Sequence, residues 1–156
     1  DYYLYRNYKK ENSNYGSIFI DSNSNIENPN SNIIMYGHNM KDGSMFKDLL
    51  KYADEEYYNN HKYIEFVTNT SSSTYEIIAV FKSRIFYKNE KNVFRYYQCT
   101  NLNNEQDYNY YVNNCKELSL YDTGVNAEYG EQIITLITCE YSSENGRMVV
   151  VAKKAK

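Results

Sequence analysis

The segment Thr135-Leu136-Ile137-Thr138-Cys139 is short, rich in β-branched residues and ends in a cysteine. A polar run over residues 140–146 follows it, and an apolar run begins at Arg147. A polar run between two such segments predicts a surface loop that joins two strands. We therefore expect strands from Gln132 to Thr138 and from Arg147 to Ala152, with the thiol of Cys139 at an accessible strand end.

The rest of the chain predicts short strands interrupted by helices. Further strands are predicted over residues 17–21, 33–38, 62–68, 75–86 and 93–99. A helix with Ser44 as its N-cap is predicted over residues 45–53, a short one over about 54–60, and a longer one near 105–117. Many short strands with few helices favour a closed or nearly closed β-barrel over alternating βαβ units. Without an internal repeat or a visible boundary, residues 1–156 are expected to form a single domain.

Composition excludes several classes of function. The 156 residues carry a net charge of −3, with acidic and basic residues spread along the chain, so no surface for nucleic acid is indicated. No stretch approaches the roughly 20 apolar residues that span a bilayer. The first residue is aspartate and no signal peptide is visible, which predicts a soluble part of a longer protein.

The three cysteines leave two interpretations open. Cys99 and Cys115 could form a disulfide, or both could be buried thiols, and the sequence does not choose between them. In either case the odd number leaves at least one free thiol, and the position of Cys139 at a strand end makes it the candidate nucleophile.

Two further residues can activate that thiol. If the last two strands pair as a hairpin, Arg147 lies opposite Cys139 or one step away, where a guanidinium favours a thiolate and can stabilise an oxyanion. A thiol nucleophile also needs a proton acceptor, which is usually histidine. Of the two histidines, His61 is expected at the surface between a helix and a strand, whereas His38 ends a strand and is the candidate base.

Taken together, these segments resemble the sortase family. The resemblance rests on Ser-Ile-Phe-Ile-Asp at 17–21, Tyr-Gly-His-Asn at 36–39 and Thr-Leu-Ile-Thr-Cys at 135–139, followed by Arg147. Met45-Phe46 with Leu49, and the late helix near 105–117, resemble class B sortases, and the similarity covers nearly the whole chain. It implies a sortase β-barrel and a cysteine transpeptidase of Gram-positive cell envelopes, membrane-anchored at the extracellular face in its full-length form.

The resemblance also implies substrates and roles. Such enzymes cleave a C-terminal sorting signal of exported proteins after Thr, hold the product as a thioester and transfer it to an amine of the peptidoglycan precursor. Cys139 would be the nucleophile, His38 the general acid and base, and Arg147 the oxyanion or substrate ligand. The backbone N–H of Glu140 would be a second oxyanion donor. The predicted groove residues are Leu4, Ile137, Val93 and Phe94. No cofactor, calcium or other metal, and no nucleic acid partner, is expected.

The chain departs from the family pattern in two ways. The N-terminal helices and first strands of the family domain would precede residue 1, and an open strand edge is expected if the molecule lacks them. Ile137 stands where class B sortases have a small polar residue, which predicts a different preference for the sorting signal. Two alternatives remain: a sortase-fold module that binds peptides with little activity, and a thiol peptidase that only hydrolyses.

Overall fold

The structure, a computed structural model, describes residues 2–156. Its strands are β1 (Phe19–Ile20), β2 (Ile33–Tyr36), β3 (Tyr63–Val67), β4 (Ser72–Arg84), β5 (Ile133–Cys139) and β6 (Gly146–Lys154). Its α-helices are α1 (Glu55–Asn60) and α2 (Glu105–Leu118), and shorter 3₁₀ helices cover Tyr2–Tyr5, Lys47–Ala53 and Tyr96–Gln98. A mainly β fold with inserted helices is thus confirmed.

The six strands form one mixed sheet in the order β1-β2-β5-β6-β4-β3. Neighbouring strands run antiparallel except β2 and β5, which are parallel. Within the described chain β1 and β3 each have one neighbour, so these strands form half of a barrel and do not close it. The parallel pairing of β2 with β5 places the ends of both strands at the same edge of the sheet.

Both faces of β5 are buried, which explains the almost continuous apolar run of this strand. Ile133 and Ile137 point to one core together with α2, whereas Ile134 and Leu136 point to a second core that Leu49 of the Lys47–Ala53 helix helps to form. Side chains alternate across a strand, so a strand covered on both faces needs apolar residues at every position. The end of β5 is therefore held rigidly from two sides.

Helix α2 forms where the sequence predicts it. The Asn104 side chain caps it by accepting a hydrogen bond from the backbone N–H of Asp107 at 2.8 Å. Tyr111, on the buried face, brings its hydroxyl 2.6 Å from that of Thr135 in β5. The first threonine of the 135–139 segment thus ties the sheet to the helix. Across residues 2–156, neither α2 nor any other helix is both long and apolar enough to cross a membrane.

The prediction of a strand over residues 93–99 is wrong. The chain instead turns through a 3₁₀ helix, with the Cys99 N–H donating to the carbonyl of Tyr96 at 3.2 Å. The aromatic residues of this segment indicated β-structure, but the Tyr96 ring is fully buried edge-on against Phe81 of β4. Packing of these rings against the sheet, rather than strand pairing, decides the local backbone.

The N-cap assigned to Ser44 is also wrong. The helix begins at Lys47 as a 3₁₀ helix and has no side-chain cap at Phe46. The Ser44 hydroxyl instead donates to the carboxylate of Asp42 at 2.7 Å, and Met45 takes a positive φ of 58°, which interrupts the helix there.

Candidate active site

Three neighbouring strands bring the predicted catalytic side chains to one edge of the sheet. Cys139 ends β5 and lies directly opposite Arg147 in β6, a register in which Cβ atoms are about 5 Å apart. Tyr36 at the end of β2 is in register with Ile137, and the Gly37 N–H donates to the Ile137 carbonyl at 3.2 Å. His38 therefore follows β2 at the level where Cys139 ends β5.

The loop that carries His38 is bonded to the cysteine strand on both sides of the histidine. The buried hydroxyl of Thr138 donates to the Gly37 carbonyl at 2.8 Å. The Asn39 amide donates to the Cys139 carbonyl at 3.0 Å. Neither residue was identified from the sequence as part of the site, although both stand in the segments that carry the resemblance. Their hydrogen bonds fix the histidine relative to the nucleophile.

An open cavity of about 760 Å³ joins these residues. His38, Cys139 and Arg147 all line it, together with the predicted groove residues Leu4 and Ile137. Ile137 forms part of the floor, since its side chain is only 1% exposed. The other two predicted groove residues, Val93 and Phe94, are not among its lining residues. The Phe94 ring packs instead 5.8 Å from that of Tyr111 in α2.

The ring of His38 has a backbone partner. Its Nε2 lies 2.5 Å from the carbonyl oxygen of Leu4, in the N-terminal 3₁₀ helix. A carbonyl can only accept, so Nε2 carries the hydrogen and donates it. The other ring nitrogen, Nδ1, is then the one left to exchange a proton within the cavity.

One of the two predicted oxyanion donors already has a partner in the structure. The backbone N–H of Glu140 donates to the Gly146 carbonyl at 3.0 Å, closing the β5–β6 hairpin, so it is not free in this structure. Nη1 of Arg147 donates to the same carbonyl at 2.8 Å, which steadies the guanidinium beside Cys139. A guanidinium has five N–H donors, so Arg147 retains others that can face a reacting oxygen.

A tyrosine and a carboxylate that the sequence did not single out also line the cavity. The hydroxyl of Tyr36 donates to the Asp21 carboxylate at 3.3 Å. Burial, reinforced by the negative charge of Asp21, raises the pKa of Tyr36 well above its usual value, so the hydroxyl stays neutral. These two side chains form a polar stretch of wall beside the apolar floor at Ile137.

The three thiols have different surroundings. All are free in the described chain, so Cys99 and Cys115 do not form a disulfide here. Burial raises the pKa of Cys99 to about 11 and that of the fully buried Cys115 well above its usual value. Of the three, only Cys139 lines the cavity.

The second histidine lies apart from the cavity. The Nδ1 of His61 lies 2.8 Å from the Tyr57 carbonyl, and its ring stacks on that of Tyr57 outside the cavity, which agrees with the predicted surface position. Across residues 2–156, no three His, Cys, Asp or Glu side chains come together in a group that could hold a metal ion.

Comparison with known proteins, by sequence and by structure, points to one family. A family model described as "Sortase domain" matches residues 1–155. Sortase B of Listeria monocytogenes is 38% identical over 98% of this chain, and the chain spans about 60% of the length of the curated relatives it matches. The crystal structure of Clostridium perfringens sortase B is 36% identical, with a TM-score of 0.86 over 100% of this chain and 82% of that one. A Staphylococcus aureus sortase B–substrate complex is 32% identical, with a TM-score of 0.82 over 99% of this chain and 69% of that one. The chain belongs to the sortase family and, within it, to class B.

Proposed function

We propose that this chain is a cysteine transpeptidase that cleaves a C-terminal sorting signal after Thr and transfers the acyl group to an amine of a cell-wall precursor. The observation that carries the proposal is the meeting of Cys139, His38 and Arg147 in one cavity. Membership of class B sortases supports it, and a relative of this class has been solved in complex with its substrate. Residues 1–156 would form the single catalytic domain.

The first half of the reaction forms a thioester. The Cys139 thiolate attacks the scissile carbonyl carbon, and the negative charge that develops on its oxygen is stabilised by N–H donors of Arg147. The C–N bond then breaks as His38 gives its Nδ1 proton to the leaving amine. The imidazole stays oriented throughout, because its Nε2 remains bonded to the Leu4 carbonyl.

The second half resolves the thioester. An incoming amine attacks the thioester carbonyl, Nδ1 of His38 takes its proton, and the thiolate of Cys139 leaves as the new amide forms. If water attacked instead, the same steps would give hydrolysis. The family resemblance supports an acceptor amine from a peptidoglycan precursor, and action at the extracellular face of a Gram-positive membrane to which a segment outside these residues anchors the enzyme.

Substrate selection would rest on the cavity walls. Leu4 and Ile137 offer apolar contacts, and a buried isoleucine at the floor favours an apolar or less polar group near the scissile bond. Because Val93 and Phe94 are not lining residues, their effect on substrates would be through packing of the neighbouring wall.

The transpeptidase proposal is tested with a quenched fluorogenic sorting-signal peptide, with and without an added amine. We expect cleavage in both cases, a thioester adduct of the Cys139 peptide in mass spectra, and an amide product when the amine is present. Release of the free acid alone, at all amine concentrations, would identify a peptidase. Peptide binding without any adduct would identify a binding module.

Replacing Arg147 with alanine should lower kcat about 10²- to 10³-fold, since a charged oxyanion donor is lost. Arg147→Lys should lower kcat less than Arg147→Ala does, because lysine keeps the positive charge but lacks the planar set of N–H donors of a guanidinium. The measurement is the steady-state rate of peptide cleavage.

The matched control is Arg95→Lys. The Arg95 guanidinium donates to the carbonyls of Tyr87 and Glu90, both at 2.8 Å, and does not line the cavity. This variant should keep kcat within about twofold, as expected of a group that touches no reacting atom. Equal losses in Arg95→Lys and Arg147→Lys would argue against an oxyanion role for Arg147.

A further inference from the structure

We propose that Gly16 is a positioning residue for catalysis, because it lets the N-terminal turn place the Leu4 carbonyl against Nε2 of His38. The inference rests on the proposed role of His38 as general acid and base. It assigns to a backbone carbonyl the orienting function that a carboxylate has in many catalytic triads.

The N-terminal turn is folded back on itself by main-chain hydrogen bonds. The Ser17 N–H donates to the Tyr3 carbonyl at 2.9 Å, and the Ser13 N–H donates to the Tyr5 carbonyl at 3.0 Å. The Ser17 hydroxyl adds a bond to the Arg6 carbonyl at 2.8 Å. The segment that carries Leu4 is thus held on both sides by residues 13–17, and its position depends on their backbone.

Gly16 lies where these two segments come closest. It is buried and has a φ of 61°, in the left-handed region that favours glycine. A Cβ at this position would lie 2.7 Å from the Tyr3 oxygen, 2.8 Å from the Leu4 carbonyl carbon, and closer still to the Leu4 oxygen. All three are backbone atoms, so no side-chain rotation can make room. A larger residue therefore has to shift the backbone of residue 16 relative to Tyr3 and Leu4, and with it the approach of the Leu4 carbonyl to His38.

That carbonyl oxygen is the acceptor for His38. Its bond to Nε2 selects one ring orientation and leaves Nδ1 as the nitrogen that can exchange a proton. A hydrogen bond from an imidazolium is stronger than one from neutral imidazole, so the carbonyl also favours a thiolate–imidazolium pair. Besides His38, the titratable groups that line the cavity are Cys139, Arg147, Asp21 and tyrosine hydroxyls. Gly16 does not line the cavity itself, and it therefore acts on catalysis through the Leu4 carbonyl and His38.

The variant that tests this is Gly16→Ala, with Gly124→Ala as its matched control. Gly124 also has a positive φ, of 70°, but a Cβ there would meet no atom within 4 Å, and Gly124 does not line the cavity. Both variants place alanine at a positive φ, and only the first adds contacts shorter than 3 Å with the Tyr3 and Leu4 backbone. Thermal unfolding of Gly124→Ala therefore measures the stability cost of alanine at a positive φ without those contacts.

The first readout is the rate at which iodoacetamide alkylates Cys139 as a function of pH, located by peptide mass spectrometry. In Gly16→Ala the midpoint should move up by about one pH unit, because the imidazolium loses a charge-assisted hydrogen bond. kcat for peptide cleavage should fall about tenfold or more. Gly124→Ala should match the wild type in both. A midpoint within about 0.2 unit of wild type in Gly16→Ala would overturn the proposal.

Two further variants test whether Gly16 acts through His38. Added to His38→Ala, the Gly16→Ala change should cost no additional activity, whereas a full further loss would show that Gly16 acts elsewhere. If Gly16→Ala does not fold, Ser17→Ala, which removes only the bond to the Arg6 carbonyl, should shift the midpoint in the same direction by less; no shift would count against the proposal. Alkylation of Cys139 needs no sorting peptide. A wild-type chain that cleaves no peptide would therefore refute the transpeptidase proposal, whereas the alkylation midpoints would still test the proposed role of Gly16.

Discussion

Replacing Cys139 with alanine is expected to reduce cleavage of a sorting-signal peptide by roughly 10⁴-fold or more, as loss of a covalent nucleophile does. Cys139 is the free thiol that lines the cavity, opposite Arg147 and at the level of His38. Without its sulfur no thioester can form, so neither hydrolysis nor transfer can proceed by this route. The measurement is the rate of fluorescence release, with mass spectrometry to show that the adduct is absent.

Cys99→Ala is the matched control for this prediction. Cys99 is also free and half-buried, but it lies outside the cavity, and burial raises the pKa of its thiol to about 11. This variant should keep its activity, and iodoacetamide should inactivate it as it does the wild type. Normal cleavage by Cys139→Ala would show that Cys139 is not the nucleophile and would refute the proposed function.

Replacing His38 with alanine is expected to lower kcat/KM by roughly 10³-fold, within the range for loss of a general acid and base. The leaving amine would lose its proton donor, and the incoming amine would lose its acceptor. Since the ring lines the open cavity beside Leu4, added imidazole should enter the vacated space and restore part of the activity. Steady-state rates with and without imidazole measure both effects.

His61→Ala provides the comparison for His38→Ala. The ring of His61 stacks on Tyr57 beyond helix α1 and does not line the cavity, so its removal should leave kcat/KM within about twofold of wild type. If kcat/KM of His38→Ala stayed within about tenfold of the wild-type value, His38 would not be the general acid and base. Another group in the cavity would then have to transfer the protons.

Elements with a strong local signal were predicted well from the sequence. The 105–118 helix carries a side-chain cap and a regular buried face, and its bounds in the structure are Glu105–Leu118. β5 and β6 begin and end within two residues of their predicted limits. The predictions failed over residues 93–99 and at Ser44, where contacts distant in sequence or a positive φ override local preference.

Within the candidate site, Cys139, His38 and Arg147 could be identified from the amino-acid sequence, because few residue types can act as nucleophile, base and oxyanion ligand, and each stands at a strand end. How these side chains are held follows from contacts that form when the chain folds. Two of these contacts join residues far apart in the chain: β2 pairs with β5, and the Leu4 carbonyl accepts a hydrogen bond from His38. A third depends on backbone geometry, since the hairpin between β5 and β6 engages the Glu140 N–H. Backbone hydrogen bonds of this kind leave no mark on side-chain identity, except where, as at Gly16, the close approach of two segments leaves no room for a Cβ.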